Sequence, residues 1–223
     1  MKCLYEKTAG RLVYRSILLT VAVIAVVWSF LGYKPVALYF TNWSVWFAAA
    51  MTILTYAGTV MSTAKGNEAI LDNKAFRLLK FCAEVMIFAT FVVSSFVLPD
   101  KLWTAGFWAP GSIFKHLLLP ILYIGDGILC DKRNSYKVHY IFAALAAPVI
   151  YWTAVITRFV TYRNSMGGAI PEDQWSNYYP YGFTNIDNGH TLTFLILLLA
   201  GIAVGLAITG TVFYLLNKKK SEK

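Results

Sequence analysis

The stretch from Gly111 to Asp131, GSIFKHLLLPILYIGDGILCD, is almost wholly apolar, yet it carries His116 near one end and Asp126 near the other. A run of about twenty residues with so few charges predicts a membrane-spanning helix. Ionisable groups inside such a span are costly, and they mark functional positions or contacts between helices. This stretch therefore indicates the class of protein and the first residues to consider as a site.

The composition of the whole chain indicates that lipid is its main solvent. Of the 223 residues, 58% are hydrophobic and 14% are charged. A soluble domain of this length could not cover so much apolar surface, and the long runs lack the alternation typical of β-barrel strands. Because backbone polar groups must bond within the segment in a bilayer, each run is expected to be helical.

Six apolar runs predict an all-α, polytopic membrane domain that occupies residues 1–223. The predicted spans are Ser16–Tyr33, Trp43–Thr63, Leu78–Leu98, Ile113–Cys130, Val138–Thr161 and Thr191–Leu216. The first run follows a basic segment but lacks a small-x-small cleavage pattern, so it is interpreted as a retained span.

The basic residues predict the orientation of these spans. Fifteen of the 20 lysines and arginines lie before span one, between spans two and three, between spans four and five, or after span six. With six spans all four clusters share one side, and the positive-inside rule makes that side cytoplasmic, together with both termini. Such clusters orient helices without forming a continuous basic face, so the net charge of +9 does not predict nucleic-acid binding. The membrane is expected to be the plasma membrane in a bacterium or an endomembrane in a eukaryote.

The outer connection at residues 163–189 is longer than a plain connector requires, and it is rich in Trp, Tyr, Pro and Gly. Aromatic side chains favour the membrane interface, and long loops within compact domains are often functional. This segment is therefore predicted to fold as an outer layer over the helices.

Three predicted helix N-termini meet in the outer leaflet, because spans two, four and six all run inward. Thr41 or Asn42 is expected to cap span two. Ser112 opens span four, and His190 precedes span six. Free N–H groups at these ends, with Arg158 nearby, predict a pocket for a carboxylate head group or for the oxyanion of acyl transfer.

Thr41 and His116 are the candidate nucleophile and general base of this pocket. A threonine hydroxyl attacks well only when a base takes its proton, and His116 lies one turn into span four. A simpler interpretation stays open for each residue, with Thr41 as a helix cap and His116 as an interfacial hydrogen-bonding residue. The group that orients His116 is also open, with Asn185, Asp187 and a backbone carbonyl as candidates.

Simpler interpretations apply to the remaining outer residues as well. Arg158 is equally explained by snorkelling to the outer head groups, and Asp187 and His190 by capping in the loop before span six. The run at 178–181, Tyr-Tyr-Pro-Tyr, is most simply an interfacial turn. His116, His190 and Asp187 lack the spacing of metal ligands, so neither a metal nor another cofactor is predicted.

The inner half of the bundle contains a second polar pair. Asp126 lies about 15 Å along the helix from His116, so it cannot orient that imidazole. It is expected at about the depth of Glu84, and the two could share a proton or pair with Lys80. A structural contact between helices is favoured over an ion site. The three cysteines show no paired spacing and predict neither disulfides nor a zinc site.

Several short motifs, in order and at matching spacing, together resemble one known family. They are Phe40-Thr41 with Asn42 and Ser44, His116 with Pro120 and Asp126, Tyr151–Arg158, and Tyr179–Phe183 with Asp187. The family is that of the six-span androgen-induced and androgen-dependent TFPI-regulating proteins and their microbial relatives, and the resemblance covers nearly the whole chain. Its better-studied members are threonine hydrolases of fatty acid esters of hydroxy fatty acids (FAHFAs). The resemblance implies that Thr41 is the nucleophile and His116 its base, and that Arg158 and the Tyr179–Phe183 segment shape the substrate pocket.

Two classes of function are therefore carried forward. The first is an intramembrane hydrolase of lipid esters that takes its substrate from the bilayer. Its candidate substrate-binding residues are Asn42, Ser44, Arg158, Tyr179, Tyr181, Asp187 and His190. The second is an ion-coupled transporter or carrier that uses Glu84 and Asp126, or a membrane subunit without catalysis. The sequence predicts no oligomeric state.

Overall fold

The computed structural model describes residues 8–31, 36–96, 103–181, 184, 185, 187 and 192–218. Six of its helices are long and apolar enough to cross a membrane, which confirms the all-α, six-span prediction and fits an integral multi-pass membrane protein. We label them α1 to α6. Their bounds are Thr8–Leu31, Phe40–Lys65, Lys74–Phe96, Pro110–Leu129, His139–Ser165 and Leu192–Asn217.

Most helices are longer than the apolar runs that predict them. Helix α1 begins at Thr8, well before the predicted start at Ser16, because Arg11 and Arg15 lie inside the helix and bond within the protein. The predicted ends at Tyr33, Leu98 and Thr191 fall outside the described residues. Hydropathy marks where lipid begins, and the hydrogen-bonded helix extends beyond that limit.

Helix α3 is the central element of the bundle. It packs against α2, α4, α5 and α6, and its apolar span is the most buried of the six. Helix α6 is at the other extreme, with most of its apolar surface facing away from the protein. A residue on α3 can therefore contribute to sites on several sides of the bundle.

Both ends of the described chain lie at the same end of the bundle. Near the start of α1, the Arg15 guanidinium bonds to the Asp131 carboxylate at 2.8 Å, just beyond α4. At the end of α6, the Asn217 side-chain oxygen accepts the backbone N–H groups of Ser135 and Tyr136 at 2.9 and 3.1 Å. The 130–138 connection thus ties the two ends together, as an even number of spans requires.

Helix α5 is interrupted at Leu145, between the segments His139–Ala144 and Ala146–Ser165. Pro148 explains the interruption, because it has no N–H for the Ala144 carbonyl and its ring crowds that carbonyl. The second segment of α5 lies at the end of the bundle that the sequence predicts to face outward, which we call the outer end. There the Tyr151 hydroxyl donates to the Leu38 carbonyl, just before α2, at 2.7 Å.

Candidate functional site

The start of α2 is capped by a tyrosine from the outer loop, and not by Thr41 or Asn42 as the sequence predicted. The helix begins at Phe40, with Tyr39 at the N-cap position and no capping bond from its own side chain. Instead, the Phe40 N–H donates to the Tyr181 hydroxyl at 3.2 Å. The sequence could not indicate a cap that arrives from 141 residues away.

Thr41 therefore stands in the first turn of α2, directly beneath Tyr181. The two side chains share a hydrogen bond. Burial raises the pKa of Tyr181 to about 12, although hydrogen bonds with Phe40 and Thr41 act in the opposite direction. Tyr181 thus remains a neutral hydroxyl beside Thr41 at any physiological pH.

Thr41 also lines a small cavity of about 50 Å³ between four helices. The lining is mostly apolar, with α3, α5 and α6 represented by residues such as Val93, Trp152 and Leu206. A cavity of this size holds one or a few waters, so an acyl chain enters only if the helices separate. Because the walls are apolar, the Thr41 hydroxyl is one of few polar groups that such a chain would meet.

Another residue that lines this cavity has a hydroxyl without a partner among the described residues. Thr90 of α3 is 3% exposed, and its Oγ1 makes no hydrogen bond to any described residue. Its neighbour Ser94 uses its hydroxyl within the helix, on the Thr90 carbonyl at 2.6 Å. A buried hydroxyl that stays unpaired costs about 1–3 kcal/mol, so Thr90 is a group that a water or a ligand can satisfy. Sequence reasoning did not identify Thr90, because a threonine within an apolar run gives no distinctive signal.

His116 lies in a π-helical turn of α4, Phe114–Leu118, where the Leu119 N–H reaches back to the Phe114 carbonyl. Pro120 explains this turn. It has no N–H to give to the carbonyl four residues earlier, which is that of His116, and its ring crowds the same carbonyl. A π-turn is costly within a helix and is frequent at functional sites.

The imidazole of His116 is held by Ser112. Its Nδ1 lies 3.0 Å from the Ser112 hydroxyl, one turn earlier on the same helix. The ring also packs beside Phe107, with the ring centroids 6.4 Å apart. Among the described residues, neither Asn185 nor Asp187 bonds to His116: the Asn185 side chain accepts the Asp187 N–H, and the Asp187 carboxylate accepts the Tyr179 hydroxyl. The i, i+4 spacing of Ser112 and His116 could have suggested the contact.

His116 and Thr41 lie at a similar depth, near the outer end of α3. The Glu84 carboxylate occupies the space beside Gly127 where a β-carbon would stand. Counted from that contact towards the outer end, His116 lies eleven residues away along α4 and Ser95 lies eleven residues away along α3. The two helices are antiparallel and eleven residues rise by about 16 Å, so His116 and Ser95 lie at the same depth. The preceding residue, Ser94, lines the Thr41 cavity.

No hydrogen bond joins His116 to Thr41 in the part of the chain that the structure describes, and His116 is absent from the lining of the cavity. Ser95, at the depth of His116, is fully buried, and its hydroxyl has no partner among the described residues. The structure thus brings Thr41, Tyr181 and Thr90 together and places His116 near them in depth without contact.

The outer loop is organised around Asp187. Its carboxylate accepts from the Tyr179 hydroxyl at 2.7 Å, from the Ile170 N–H at 3.0 Å and from the Arg163 guanidinium at 2.9 Å. Burial raises the pKa of the Asp187 carboxyl, but these three hydrogen bonds outweigh it and hold the pKa below its ordinary value. Tyr179 and Asp187 thus fold the loop that positions Tyr181.

The remaining predicted site residues lie as follows. Asn42 is buried in the first turn of α2, and the Ser44 hydroxyl donates to the Phe40 carbonyl at 3.0 Å. Arg158 is exposed, with its guanidinium 5.2 Å from the centre of the Tyr178 ring, and it is not among the residues that line the cavity. His190 lies outside the described residues.

Asp126 sits in a buried network of charges at the other end of the bundle. Its carboxylate bonds to Arg15 at 2.7 Å and to Lys80 at 2.5 Å, and all three residues are buried. Both cations also contact Asp131. The network joins α1, α3 and α4, so the structure supplies Lys80 as a partner of Asp126 and adds Arg15, which the sequence analysis counted only as an orientation charge.

Glu84 joins this network through Tyr136. The Tyr136 hydroxyl lies 2.6 Å from the Glu84 carboxyl and 3.0 Å from that of Asp131. The Tyr136 hydroxyl has one proton and can donate to only one of these two carboxyls. Both contacts are hydrogen bonds when the other carboxyl, such as that of Glu84, carries a proton and donates to the hydroxyl oxygen. The ion pairs and this shared proton hold helices together, which favours a structural role for both acids.

Comparisons with known protein families, with curated proteins and with solved structures found no match to this chain.

Proposed function

We propose that the protein is an intramembrane hydrolase of lipid esters, such as fatty acid esters, with Thr41 as nucleophile and His116 as general base. The observation that carries the proposal is an apolar cavity lined by both Thr41 and Thr90, where the Thr90 hydroxyl has no partner among the described residues. An acyl chain suits the apolar walls, and the ester group suits the two hydroxyls.

In the proposed reaction the substrate enters from the bilayer and separates the cavity walls. Thr41 Oγ1 attacks the ester carbonyl while its proton passes to His116, and a tetrahedral intermediate forms. The intermediate breaks its bond to the alcohol, which leaves with the proton from His116. Water, deprotonated by His116, then attacks the threonyl ester. The bond from the acyl carbon to Thr41 Oγ1 breaks, His116 returns its proton to Oγ1, and the fatty acid is released.

The residues around Thr41 have distinct parts in this scheme. The Thr90 hydroxyl, which has no partner among the described residues, is proposed to donate to the developing oxyanion, and the Tyr181 hydroxyl, which bonds to Thr41, lies beside it. Stabilisation of this charge is a large source of rate enhancement in acyl transfer. The scheme requires the His116 ring to reach Thr41, although it does not line the cavity in this structure. Catalytic hydrogen bonds are often long in unliganded proteins and tighten when substrate binds.

The alternative, a transporter that works through Glu84 and Asp126, receives less support. A coupling carboxylate must release and take up its ion, whereas Asp126 is bonded to two buried cations. The Thr41 cavity and the buried network of Asp126 also lie at different depths in the bundle, and no described contact joins them.

The test is chemical labelling of the nucleophile. Purified protein in nanodiscs is treated with an alkyl fluorophosphonate, and hydrolysis of a long-chain fatty ester is measured in parallel. We expect wild type to be labelled and active, and Thr41→Ala to lose the label and at least ~100-fold in rate.

The matched control is Thr52→Ala on the same helix, whose hydroxyl bonds only to the Ala48 carbonyl. It is expected to keep both the label and the turnover. Equal labelling of Thr41→Ala and wild type, or full turnover by a folded Thr41→Ala or His116→Ala protein, would show that the assignment is wrong.

A further inference from the structure

A pocket of about 320 Å³ opens at the inner end of the bundle, between the 130–138 connection and the end of α6. Its lining includes Lys137, His139 and Lys218, and all three are exposed. The lining contains no acidic residue, and none of the three forms an ion pair with a residue that the structure describes. The pocket thus brings basic side chains together without an acidic partner.

Asn217 holds the two sides of this pocket together. Its side-chain oxygen accepts the backbone N–H groups of Ser135 and Tyr136 at 2.9 and 3.1 Å. Lys218 directly follows Asn217, and Lys137 directly follows Tyr136, so these bonds fix the two lysines on one pocket although they are far apart in the sequence. The fold therefore builds the pocket from two separate basic segments.

The positive-inside rule does not by itself account for such a pocket. That rule requires an excess of basic residues on the cytoplasmic side, at any place along a connection. Other cations at this end are paired within the protein. Lys80 bonds to Asp126, and Lys132 lies 3.5 Å from Asp72. The cations that line the pocket have no such pairing among the described residues, so their charge is available to a ligand.

The position of the pocket indicates the kind of ligand. Val138, which lines the pocket, is 57% exposed, and Leu215 near the end of α6 is 56% exposed. Apolar side chains this exposed are expected to face lipid, so the pocket lies where the lipid-facing surface ends. Tyr214 also lines it, and tyrosine is enriched at the membrane interface. A ligand in this pocket is therefore at the level of the lipid head groups.

We infer that this pocket binds the phosphate of an anionic phospholipid in the cytoplasmic leaflet, with Lys137 and Lys218 as its counter-charges. Hydrogen bonds from ammonium groups to phosphate oxygens are among the stronger kinds in proteins. Lys219 and Lys220 continue the basic run in the sequence, and basic clusters directly beyond a span attract the anionic lipids of that leaflet. The site lies at the opposite end of the bundle from Thr41, and it does not depend on the proposed hydrolase activity.

The first experiment measures which lipid the protein retains. Protein is purified in a mild detergent with equal amounts of phosphatidylglycerol and phosphatidylcholine of the same chains, and the bound lipid is identified by native mass spectrometry. We expect wild type to prefer phosphatidylglycerol by about tenfold, and Lys137→Gln/Lys218→Gln to lose that preference. Lys137→Arg/Lys218→Arg keeps both charges and is expected to keep the preference.

The matched control is Lys65→Gln/Lys74→Gln. It removes the same charge from the same end of the bundle, at two exposed lysines that do not line the pocket. We expect this variant to prefer phosphatidylglycerol as wild type does. Equal losses in the two glutamine variants would mean that only the diffuse surface charge attracts lipid, and would overturn the inference.

The second experiment distinguishes a lipid from a soluble phosphate. Thermal unfolding in detergent is measured with dioctanoyl phosphatidylglycerol, with dioctanoyl phosphatidylcholine and with glycerol phosphate at equal concentrations. A ligand that binds the folded protein raises its Tm, so we expect phosphatidylglycerol alone to raise the Tm of wild type and to leave that of Lys137→Gln/Lys218→Gln unchanged. An equal rise with glycerol phosphate would identify a site for soluble phosphates, and an equal rise with phosphatidylcholine would show no selection for an anionic head group. Either result would overturn the inference.

Discussion

Single hydrogen bonds determine how the candidate site is arranged at the residue scale. Tyr181 reaches from the outer loop to cap α2 and meets Thr41, and Ser112 fixes the Nδ1 side of His116. If the Ser112 hydroxyl donates to Nδ1, the proton of the neutral ring sits on Nε2, and if it accepts, Nε2 is free to act as a base. The second arrangement is the one that the proposed reaction needs.

Ser112 is therefore predicted to act as a positioning residue. Ser112→Ala removes the bond that selects the tautomer, and we expect kcat for ester hydrolysis to fall by about tenfold with KM little changed. Ser112→Thr keeps a hydroxyl in place and is expected to recover most of the activity. A loss that Ser112→Thr does not recover, or one that appears only in KM, would contradict this role.

Among the helices, the element that most affects the candidate site is the π-turn of α4, which holds His116. Pro120 sets its position, and the turn changes the direction in which Lys115 and His116 leave the helix. An uninterrupted α-helix would rotate residues before the turn by about 100° relative to those after it. The Gly127 contact with Glu84 and the packing of Gly111 on Trp28 fix the two halves of α4 independently.

Pro120→Ala tests this account of the turn. The new N–H can bond to the His116 carbonyl, so we expect α-helical pairing to return and stability to rise by about 1–3 kcal/mol in thermal unfolding. Ester hydrolysis is expected to fall by about 100-fold, because misplacement of a base by about 1 Å has an effect of that size. Pro110→Ala, at the start of the same helix, is the control, since proline there costs no hydrogen bond. Unchanged activity in Pro120→Ala would mean that the turn does not position His116.

At the scale of the whole molecule, the buried network of Arg15, Lys80 and Asp126 holds the inner end together. It connects α1, α3 and α4, and Asn217 binds α6 to the adjoining connection. The outer end is joined differently, through aromatic packing and the bonds of Asp187. The inner end is thus held by a buried network of charges, and the outer end, where the Thr41 cavity lies, by aromatic packing and the hydrogen bonds of Asp187.

Asp126→Asn is predicted to destabilise the whole bundle. Removing one partner leaves buried cations without full compensation, so we expect a loss of about 3–5 kcal/mol in unfolding measured in detergent micelles. Asp72→Asn breaks an exposed pair with Arg77 and is expected to cost less than about 1 kcal/mol. If both substitutions have the same small effect, the buried network does not hold the helices together.

The parts of this fold that follow from local sequence could be predicted, and the parts that depend on distant contacts could not. The six spans follow from run length, and an Asp126–Lys80 pair was among the alternatives because both lie at the inner end of apolar runs. The predicted cap of α2 is wrong. Threonine is a favourable capping residue, which pointed to Thr41, and no residue near α2 in the sequence indicates that Tyr181 takes this position. The sequence predicts Ser112 as a helix start, and its i, i+4 spacing to His116 is the local signal for the hydrogen bond between them.

Helix α6 is held at one end by the hydrogen bonds of Asn217, whereas only 17% of its apolar span is buried in the protein. Its 26 residues extend over about 39 Å, more than the hydrocarbon thickness of about 30 Å. A helix that is too long tilts, and with Asn217 pinned the tilt moves the opposite half. Ile202 and Leu206, on one wall of the Thr41 cavity, move with it. We therefore expect bilayer thickness to shift this wall and to change access to Thr41, so that hydrolysis rates measured in nanodiscs of shorter and longer lipids should differ.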